Sequence, residues 1–315
     1  MVNKPLVSIC IPTYNRSEQL KRTLESIVDQ PEFISGKVEI VISDNASEDS
    51  TEFVGGEYAE RYENILYFRN TENIGNRNFP LVLSRANGIL RKLNNDTFIF
   101  KPDGLKQLCI IAEKYNADKP FIFLSNGQRK IYDEELMNFR SFVVTESFWV
   151  TWITSFTIWG SECDNIAFDI DGCELRLWQV RKMYELVYKK NCAVVCDQKI
   201  GYSISPPKKN ISYGLYQVFY LNFMQLLKPY VNNKTLDIED IEIIEKDLLF
   251  NFFTNWIIQW ELNNANLCYS ETENLKQSVF EHYKNKKYWN KYFRYYFLQY
   301  WKKRLKAQIK KLLGK

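Results

Sequence analysis

The sequence predicts an α/β protein in which a mostly parallel sheet is flanked by helices and followed by a C-terminal helical region. Strand and helix patterns alternate from residue 6 onwards, which is typical of βαβ units. The apolar runs 6–11 and 38–43 each end in a polar loop that begins a helix. This arrangement places ligand-binding groups at the carboxyl edge of a parallel sheet.

The elements follow from apolar periodicity and breaker residues, taken along the chain. The predicted strands are 6–11, 38–43, 65–69, a short one before Asn94, 121–125 and 192–196, and the predicted helices of this part are 17–29, 48–61, 76–87, 102–117 and 173–190. The stretch 126–172 reads as irregular. A boundary near Pro206-Pro207 divides the chain into domains 1–207 and 208–315. The second domain is predicted to be helical, with segments at 212–229, 238–262, 271–285 and 288–313.

Charge is distributed unevenly along the 315 residues, although the net charge is only +4. Residues 282–315 contain 12 Lys and Arg and no Asp or Glu. Residues 1–281 therefore carry 30 basic against 38 acidic side chains, a net charge of −8. An acidic body with a basic tail predicts binding of the tail to an anionic surface.

The last predicted helix is rich in aromatic residues and in lysine. Its apolar positions recur in steps of three and four, which predicts a single apolar face opposite most of the cations. These positions are Trp289, Tyr292, Phe293, Tyr296, Phe297, Tyr300, Trp301, Leu305, Ile309, Leu312 and Leu313. The pattern is that of an interfacial membrane helix. The alternative is a helix that packs its aromatic face on the body, and both hold if only residues 302–315 reach the bilayer. No RNA-binding signature accompanies the tail, so nucleic acid is not an expected partner.

The seven cysteines form no CxxC pair, and most lie in apolar runs. This predicts buried, reduced thiols in a reducing cytosol rather than a zinc site or a disulfide framework. The N-terminus leads directly into a strand, and no run approaches 18 apolar residues. We therefore expect a cytoplasmic protein that is neither secreted by a cleaved signal nor membrane-spanning.

Four short motifs point to a family. They are PTYNR at 12–16, SDNASEDST at 43–51, NTENIGNRN at 70–78 and LNNDTF at 93–98. Through these motifs, over about residues 5–200, the chain resembles the family 2 glycosyltransferases of the GT-A fold, which build bacterial surface polysaccharides. The resemblance implies that residues 1–207 form a Rossmann-like GT-A domain that binds a nucleotide sugar and catalyses the transfer.

The resemblance also implies a donor site. The loop after the first strand would hold the base and ribose, Asp44 would accept a hydrogen bond from the base, and the loop with Arg77 would approach the phosphates. The donor-binding residues implied in this way are Pro12, Thr13, Tyr14, Asn15, Arg16, Asp44, Asn45, Asn76, Arg77 and Asn95. For Asp44 the alternative is an Asx-turn or helix cap.

The metal motif of the family corresponds here to Asn94-Asn95-Asp96-Thr97, in which the first carboxylate is missing. The resemblance implies that Asp96 binds Mg²⁺ or Mn²⁺ bridged to the donor diphosphate. Losing one anionic ligand should weaken metal affinity, so we expect the site to be filled together with the donor. The alternative is an exposed turn at this position.

A carboxylate is expected as the general base, because the only histidine, His282, lies far along the chain. The resemblance implies that this base lies before or at the start of the helix after the acceptor loop, a region that here reads FDIDGCELRLWQ. The candidates are Asp171, Glu174 and Asp169. The Glu-Asp pair usual in the family is absent. Asp171 and Glu174 also fit a helix-capping pattern, which leaves a structural role open.

The resemblance implies an inverting glycosyltransferase of hexosyl or N-acetylhexosaminyl type. Its donor would be a nucleoside diphosphate sugar, with UDP favoured over CDP, GDP and dTDP. Its acceptor would be a hydroxyl of a surface polysaccharide or lipid-linked glycan at the inner face of the membrane. Two alternatives remain: a catalytically silent nucleotide-sugar-binding protein and a membrane-surface scaffold.

Overall fold

A computed structural model describes residues 4–130, 134–204, 213–263 and 274–312. The chain divides into two compact units, Met1–Val143 with Trp149–Pro206, and Val144–Phe148 with Pro207–Lys315. The boundary predicted at Pro206-Pro207 lies outside the described residues.

The strands of the first unit form three sheets. They are β1 Val7–Thr13, β2 Val38–Asp44, β3 Ile65–Arg69, β4 Leu90–Leu93, β5 Phe98–Phe100, β6 Phe121–Leu124, β7 Glu134–Met137, β8 Thr157–Trp159, β9 Ala193–Cys196 and β10 Gly201–Ser203. The main sheet has the order β3-β2-β1-β4-β8, in which only β8 runs antiparallel. A second sheet pairs β10 with β5, and a third has the order β6-β9-β7. All seven residues of β2 are buried, as expected of a central strand covered on both faces.

Helices pack on this sheet through apolar stripes. In the first helix, Leu20, Leu24 and Ile27 recur at helical spacing and are fully buried. The helices of this part are α1 Ser17–Val28, α2 Pro31–Ile34, α3 Thr51–Arg61, α4 Asn78–Ser84, α5 Gly104–Tyr115, α6 Phe139–Glu146 and α7 Trp178–Lys190. A 3₁₀ turn, Gly75–Arg77, precedes α4.

Two sequence predictions in this part were wrong. The helix predicted at 173–190 begins only at Trp178, because Gly172 and Arg176 both adopt positive φ and residues 171–176 form turns. The stretch 126–172, predicted as irregular, contains β7, α6 and β8. Elements this short carry too few residues to show a clear period.

The second unit is helical. Its helices are α8 Phe223–Asn232, α9 Ile238–Asp247, α10 Thr254–Asn263, α11 Leu275–Tyr283 and α12 Trp289–Leu312, with π-helical segments at Gln217–Asn222 and Leu248–Phe253. The single helix predicted at 238–262 is therefore α9, a π segment and α10 in succession. A capping box at its start satisfies two backbone donors, because Asp237 accepts from Asp240 N and Asp240 accepts from Asp237 N.

The apolar residues of α12 lie on two faces, not on the one predicted. Tyr292 and Tyr296 are buried, whereas Phe293, Phe297 and Trp301 are exposed by 40–58%. Residues spaced four apart along a helix are rotated by about 40° at each step. A long series of apolar residues at this spacing therefore winds around the helix instead of staying on one side.

A buried carboxylate joins three segments of the second unit. Glu245 in α9 accepts hydrogen bonds from Tyr220 Oη, at 2.5 Å, and from Lys286 Nζ, and His282 Nε2 lies 3.4 Å from its Oε1. Burial raises the pKa of this carboxyl, but the hydrogen bonds from His282, Lys286 and Tyr220 outweigh burial and lower the pKa to about 2. The carboxylate is therefore stabilised in its charged form by the folded unit.

Replacing Glu245 should therefore weaken the fold in a pH-dependent way. We expect Glu245→Gln to lower the free energy of unfolding at pH 7 by about 2–3 kcal/mol, because Tyr220, His282 and Lys286 would lose the negative charge with which they interact. Because the pKa of Glu245 is lower in the folded protein, its carboxylate stabilises the fold at pH values above the ordinary pKa of 4.5. This contribution is lost as the pH falls towards 2. The difference between wild type and variant, measured by denaturant unfolding followed by near-UV circular dichroism, should shrink over that range.

Glu281→Gln provides the control, because Glu281 lies on the neighbouring helix and its side chain is 61% exposed beside Lys284. An exposed pair of this kind contributes at most about 0.5 kcal/mol. Equal effects of the two substitutions would show that the buried network does not support the fold.

Candidate functional site

The site lies at the carboxyl edge of the main sheet, between β1 and β4. The chain runs from β1 outwards to β2 and β3, then crosses to β4 on the other side of β1. Ligand crevices of open α/β sheets form where the strand order reverses in this way. The parallel register sets Thr13 beside Asp44, and Asn94 N donates to Cys10 O at 2.8 Å. The ends of all three strands therefore reach the same edge.

The loop after β1 holds the edge together on the β2 side. Pro12 and Thr13 end the strand, and the half-buried Tyr14 follows. Asn15 takes a positive φ of 52°, and its backbone N donates to Ser47 Oγ at 2.8 Å. Its Oδ1 accepts from Glu48 N at 2.7 Å. The loop is thereby fixed against the start of the segment that follows β2.

Asp44 is completely buried, and both of its oxygens accept hydrogen bonds. Oδ1 accepts from Ser47 N at 3.0 Å and from the Ser47 hydroxyl, and Oδ2 accepts from Tyr67 Oη at 2.7 Å. Arg69 Nε lies 3.7 Å from Oδ2. Burial, and then the bond to Asp44, raise the pKa of Tyr67, so the phenol stays a donor. Asp44 thus makes the turn contact that was the alternative to base binding, and a role in donor binding stays a prediction.

Asp96 is 2% exposed and lies in the loop after β4. The loop after β1, which contacts Ser47, also contacts Asp96. Its Oδ2 accepts from Thr13 Oγ1 at 2.9 Å, and its Oδ1 accepts from Arg16 NH1. Arg16 NH1 also donates to Asn95 Oδ1 at 3.0 Å. The alternative of an exposed turn at this motif is wrong, because Asn94 and Asp96 are both buried. Asp44 and Asp96 are therefore joined through the single loop Thr13–Arg16.

A buried lysine supports the motif from the strand. Lys92 is fully buried, and its Nζ donates to Asn94 Oδ1 at 2.8 Å and to Leu93 O at 3.2 Å. The rings of Phe98 and Phe100 lie 5.1 and 5.6 Å from the amine. Burial lowers the pKa of this amine well below its usual value. The amide oxygen of Asn94 is thus occupied by Lys92.

A separate cleft of about 390 Å³ brings together four other predicted residues. Asn76 and Arg77 line it together with Asp171 and Glu174. The cleft is connected to the sheet edge through Asn45, whose Nδ2 donates to Asn73 Oδ1 at 2.7 Å and whose Oδ1 accepts from Ile74 N at 3.0 Å. The capping alternative for Asp171 and Glu174 is wrong for α7, because that helix begins at Trp178.

Asp169 is placed differently from the other two base candidates. It forms ion pairs with Arg181 and, at 3.1 Å, with Lys182, both on α7. Burial raises the pKa of Asp169, but the bonds from Arg181 and Lys182 outweigh it, and the pKa lies below its usual value. Such a carboxylate is a weaker proton acceptor than an unpaired one.

Sequence reasoning missed Ser47, Tyr67 and Lys92. Ser47 lies inside the SDNAS motif, where a hydroxyl three residues after an aspartate is a turn signal. Lys92 was detectable as the second of two adjacent basic residues, Arg91 and Lys92, in the strand that leads into the motif. Tyr67 had no sequence signal beyond its strand, because its partner Asp44 lies on a neighbouring strand.

The described part of the chain contains no group of three or more His, Cys, Asp or Glu side chains placed to bind a metal ion. The six cysteines in the described ranges are free thiols, and Cys268 lies outside those ranges. No described helix combines the length and apolarity needed to cross a bilayer.

Comparison with known proteins gives a family and a fold. The family model "Glycosyl transferase family 2" matches residues 8–177. Abequosyltransferase RfbV of Salmonella typhimurium is 48% identical over 85 residues, which are 26% of this chain and 25% of the relative. The match therefore spans about a quarter of that protein's length.

Two solved structures resemble most of the chain. TarS 1-349 of S. aureus in complex with UDP-GlcNAc has a TM-score of 0.54 at 13% identity, covering 88% of this chain and 89% of that one. The mannosyltransferase PcManGT of Pyrobaculum calidifontis, in complex with GDP-Man and Mn²⁺, has a TM-score of 0.51 at 14% identity, covering 95% and 88%. The α/β fold of GT-A type that the sequence predicted is confirmed.

Proposed function

We propose that this chain, which belongs to glycosyl transferase family 2, transfers one sugar from a nucleoside diphosphate sugar to a hydroxyl of a glycan acceptor. One observation carries the proposal: Asp44 and Asp96, distant in the chain, lie at one sheet edge and are joined by the loop Thr13–Arg16. The first unit, predicted as domain 1–207, would be catalytic. We favour UDP as the nucleotide, a hexosyl or N-acetylhexosaminyl donor, and a surface-polysaccharide or lipid-linked acceptor.

The donor would lie across the crevice between β1 and β4. Its base and ribose would contact the loop from Pro12 to Arg16 and the edge at Asp44 and Asn45, and its diphosphate would approach Asn95 and Arg77. Relatives support this class of donor, since the TarS structure contains UDP-GlcNAc and the PcManGT structure contains GDP-Man. Two cations of the site, Arg16 and Arg77, are suited to phosphate oxygens.

The residues fit a divalent cation only when the donor supplies further ligands. Asp96 offers one carboxylate and Asn95 an amide oxygen, whereas the amide oxygen of Asn94 is held by Lys92. Mg²⁺ is commonly bound through one or two carboxylates together with substrate phosphates. We therefore propose Mg²⁺ or Mn²⁺ at Asp96, where it would offset the charge of the departing diphosphate.

Transfer with inversion requires one general base and a single displacement at the anomeric carbon. The acceptor oxygen forms a bond to the anomeric carbon, the bond from that carbon to the phosphate oxygen breaks, and the base takes the hydroxyl proton. We place the base at Asp171 or Glu174, which line the cleft beside Asn76 and Arg77. Asp169 is the weaker candidate because Arg181 and Lys182 already pair with it.

The second unit supplies a surface for the membrane where lipid-linked acceptors are held. On the described part of α12, Phe297, Leu298, Trp301, Leu305 and Ile309 are exposed by 45–59%. At about 100° per residue these five side chains lie within an arc of about 120°, flanked by Lys302 and Arg304. We propose that this apolar arc and its flanking cations bind the anionic inner face of the membrane as a peripheral contact.

The function is tested by incubating the full chain with a panel of nucleotide sugars and Mn²⁺ or Mg²⁺. We expect release of nucleoside diphosphate, fastest with a UDP-sugar. Asp96→Asn should reduce the rate on the order of a hundredfold, as expected when a group that stabilises transition-state charge is lost. Asp103→Asn, an exposed carboxylate at the start of α5, should have no effect. Nucleotide binding by calorimetry without any turnover would instead identify a silent binder.

The base is tested by comparing Asp171→Asn, Glu174→Gln and Asp169→Asn. We expect one of the first two to lower kcat by about 10²–10⁴ with little change in KM, because general-base catalysis contributes that much. In that variant, kcat should no longer fall at low pH, so the acid limb of its pH profile should be absent. Asp169→Asn should retain that limb. Loss of the limb only in Asp169→Asn would contradict the assignment.

The membrane contact is tested by vesicle flotation with phosphatidylglycerol against phosphatidylcholine vesicles. Replacing Lys302, Arg304 and Lys306 by Gln should weaken binding to the anionic vesicles by about 1 kcal/mol per lost cation. Replacing the exposed Lys21, Arg22 and Lys106 removes the same charge elsewhere and should leave binding unchanged. If Trp301→Ser instead converts a dimer to a monomer in light scattering, without affecting flotation, the arc is a self-association surface and the proposal is wrong.

A further inference from the structure

Arg16 is hydrogen-bonded to two oxygens that a cation at Asp96 would use, one of Asp96 and one of Asn95. One nitrogen, NH1, donates both to Asp96 Oδ1 and to Asn95 Oδ1. The Asp96 side chain is 2% exposed and that of Arg16 is 15% exposed, so water screens the pair only weakly. A third nearby oxygen, Oδ1 of Asn94, is held by Lys92.

A divalent cation and this guanidinium cannot share the carboxylate oxygen. Mg²⁺ and its ligand oxygens lie about 2.0–2.1 Å apart, so a cation at Asp96 Oδ1 would be within a few ångströms of NH1. Two positive groups at that distance in a buried site repel strongly. Cation binding at Oδ1 of Asp96 therefore requires Arg16 to leave, whereas Oδ2 accepts from Thr13 Oγ1.

Arg16 also has an incomplete set of partners where it lies. Its Nε is buried and has no hydrogen-bond partner. A buried donor without a partner carries a desolvation penalty, so an anion that reaches this nitrogen would stabilise a different position of the side chain. A diphosphate, whose oxygens match the guanidinium fork, is such an anion.

We propose that Arg16 blocks the cation site in the donor-free protein and moves to the diphosphate when the donor binds, so that the cation and the nucleotide enter together. The identity of the anion rests on the proposed function, whereas the block at Asp96 does not. Arg16 is thus a positioning residue for the cation. It prevents a divalent ion from occupying Asp96 before the substrate is present.

The experiment measures Mn²⁺ binding to the full chain by electron paramagnetic resonance, with and without UDP and without any acceptor. Wild type should bind Mn²⁺ detectably only when UDP is present. Arg16→Gln should bind Mn²⁺ without UDP at least about tenfold more tightly than wild type, equivalent to about 1.4 kcal/mol. Arg16→Lys, which keeps the charge, should stay close to wild type. A gain of affinity is not a result that a merely damaged fold produces.

Arg22→Gln provides the matched control, because Arg22 is an exposed arginine on the adjacent helix α1 and should leave Mn²⁺ binding as in wild type. Asp96→Asn placed on Arg16→Gln should remove the gained affinity. The proposal is overturned if Arg16→Gln binds Mn²⁺ no better than wild type, or if wild type binds Mn²⁺ equally with and without UDP. Failure of the proposed function shows separately, as nucleotide sugars that are not turned over while the Mn²⁺ result for Arg16→Gln still holds.

Discussion

The loop Thr13–Arg16 is the constraint on which the site depends. It leaves β1 at the point where the strand order reverses and makes contacts on both sides, to Ser47 after β2 and to Asp96 after β4. Because β1 is paired in parallel register with both neighbours, the loop cannot shift without breaking one set of contacts. The distance between the two acidic positions is therefore set by the sheet together with the contacts of this loop. Sites built on regular elements hold their geometry more closely than sites built on loops alone.

Burial of charge has a cost that the local hydrogen bonds offset. Asp44, Asp96 and Lys92 are all inaccessible or nearly so, and each has polar partners at hydrogen-bonding distance. A buried charge that loses its partners destabilises a fold by about 3–5 kcal/mol. The partners thus also fix the direction in which each charged group points. The same contacts that stabilise the fold hold these three side chains in place at the edge of the sheet.

The sequence was sufficient where regular periodicity and parallel pairing determine the structure. The runs at 6–11 and 38–43 predicted β1 and β2, and the convergence of Asp44 and Asp96 followed from strands that end at one edge. The sequence was insufficient where a single backbone φ angle determines at which residue a helix begins. Gly172 and Arg176 delay the start of α7 through positive φ values, which no apolar pattern shows. The faces of α12 depend on which side packs, and the sequence pattern assigned the buried Tyr292 and Tyr296 and the exposed Phe293, Phe297 and Trp301 to one face.

The contacts of Asp169 explain how the segment with Asp171 and Glu174 is held without being helical. The backbone oxygen of Asp169 accepts from Trp178 Nε1 at 2.7 Å, and its side chain pairs with Arg181 and Lys182. Asp169 thereby ties the start of the turn segment to the first turns of α7, while Asp171 and Glu174 stay exposed in the cleft. A carboxylate neutralised by two cations is suited to anchoring, whereas a base needs a carboxylate that an acceptor hydroxyl can reach. The ion pairs of Asp169 thus hold the segment that carries the two exposed carboxylates of the cleft.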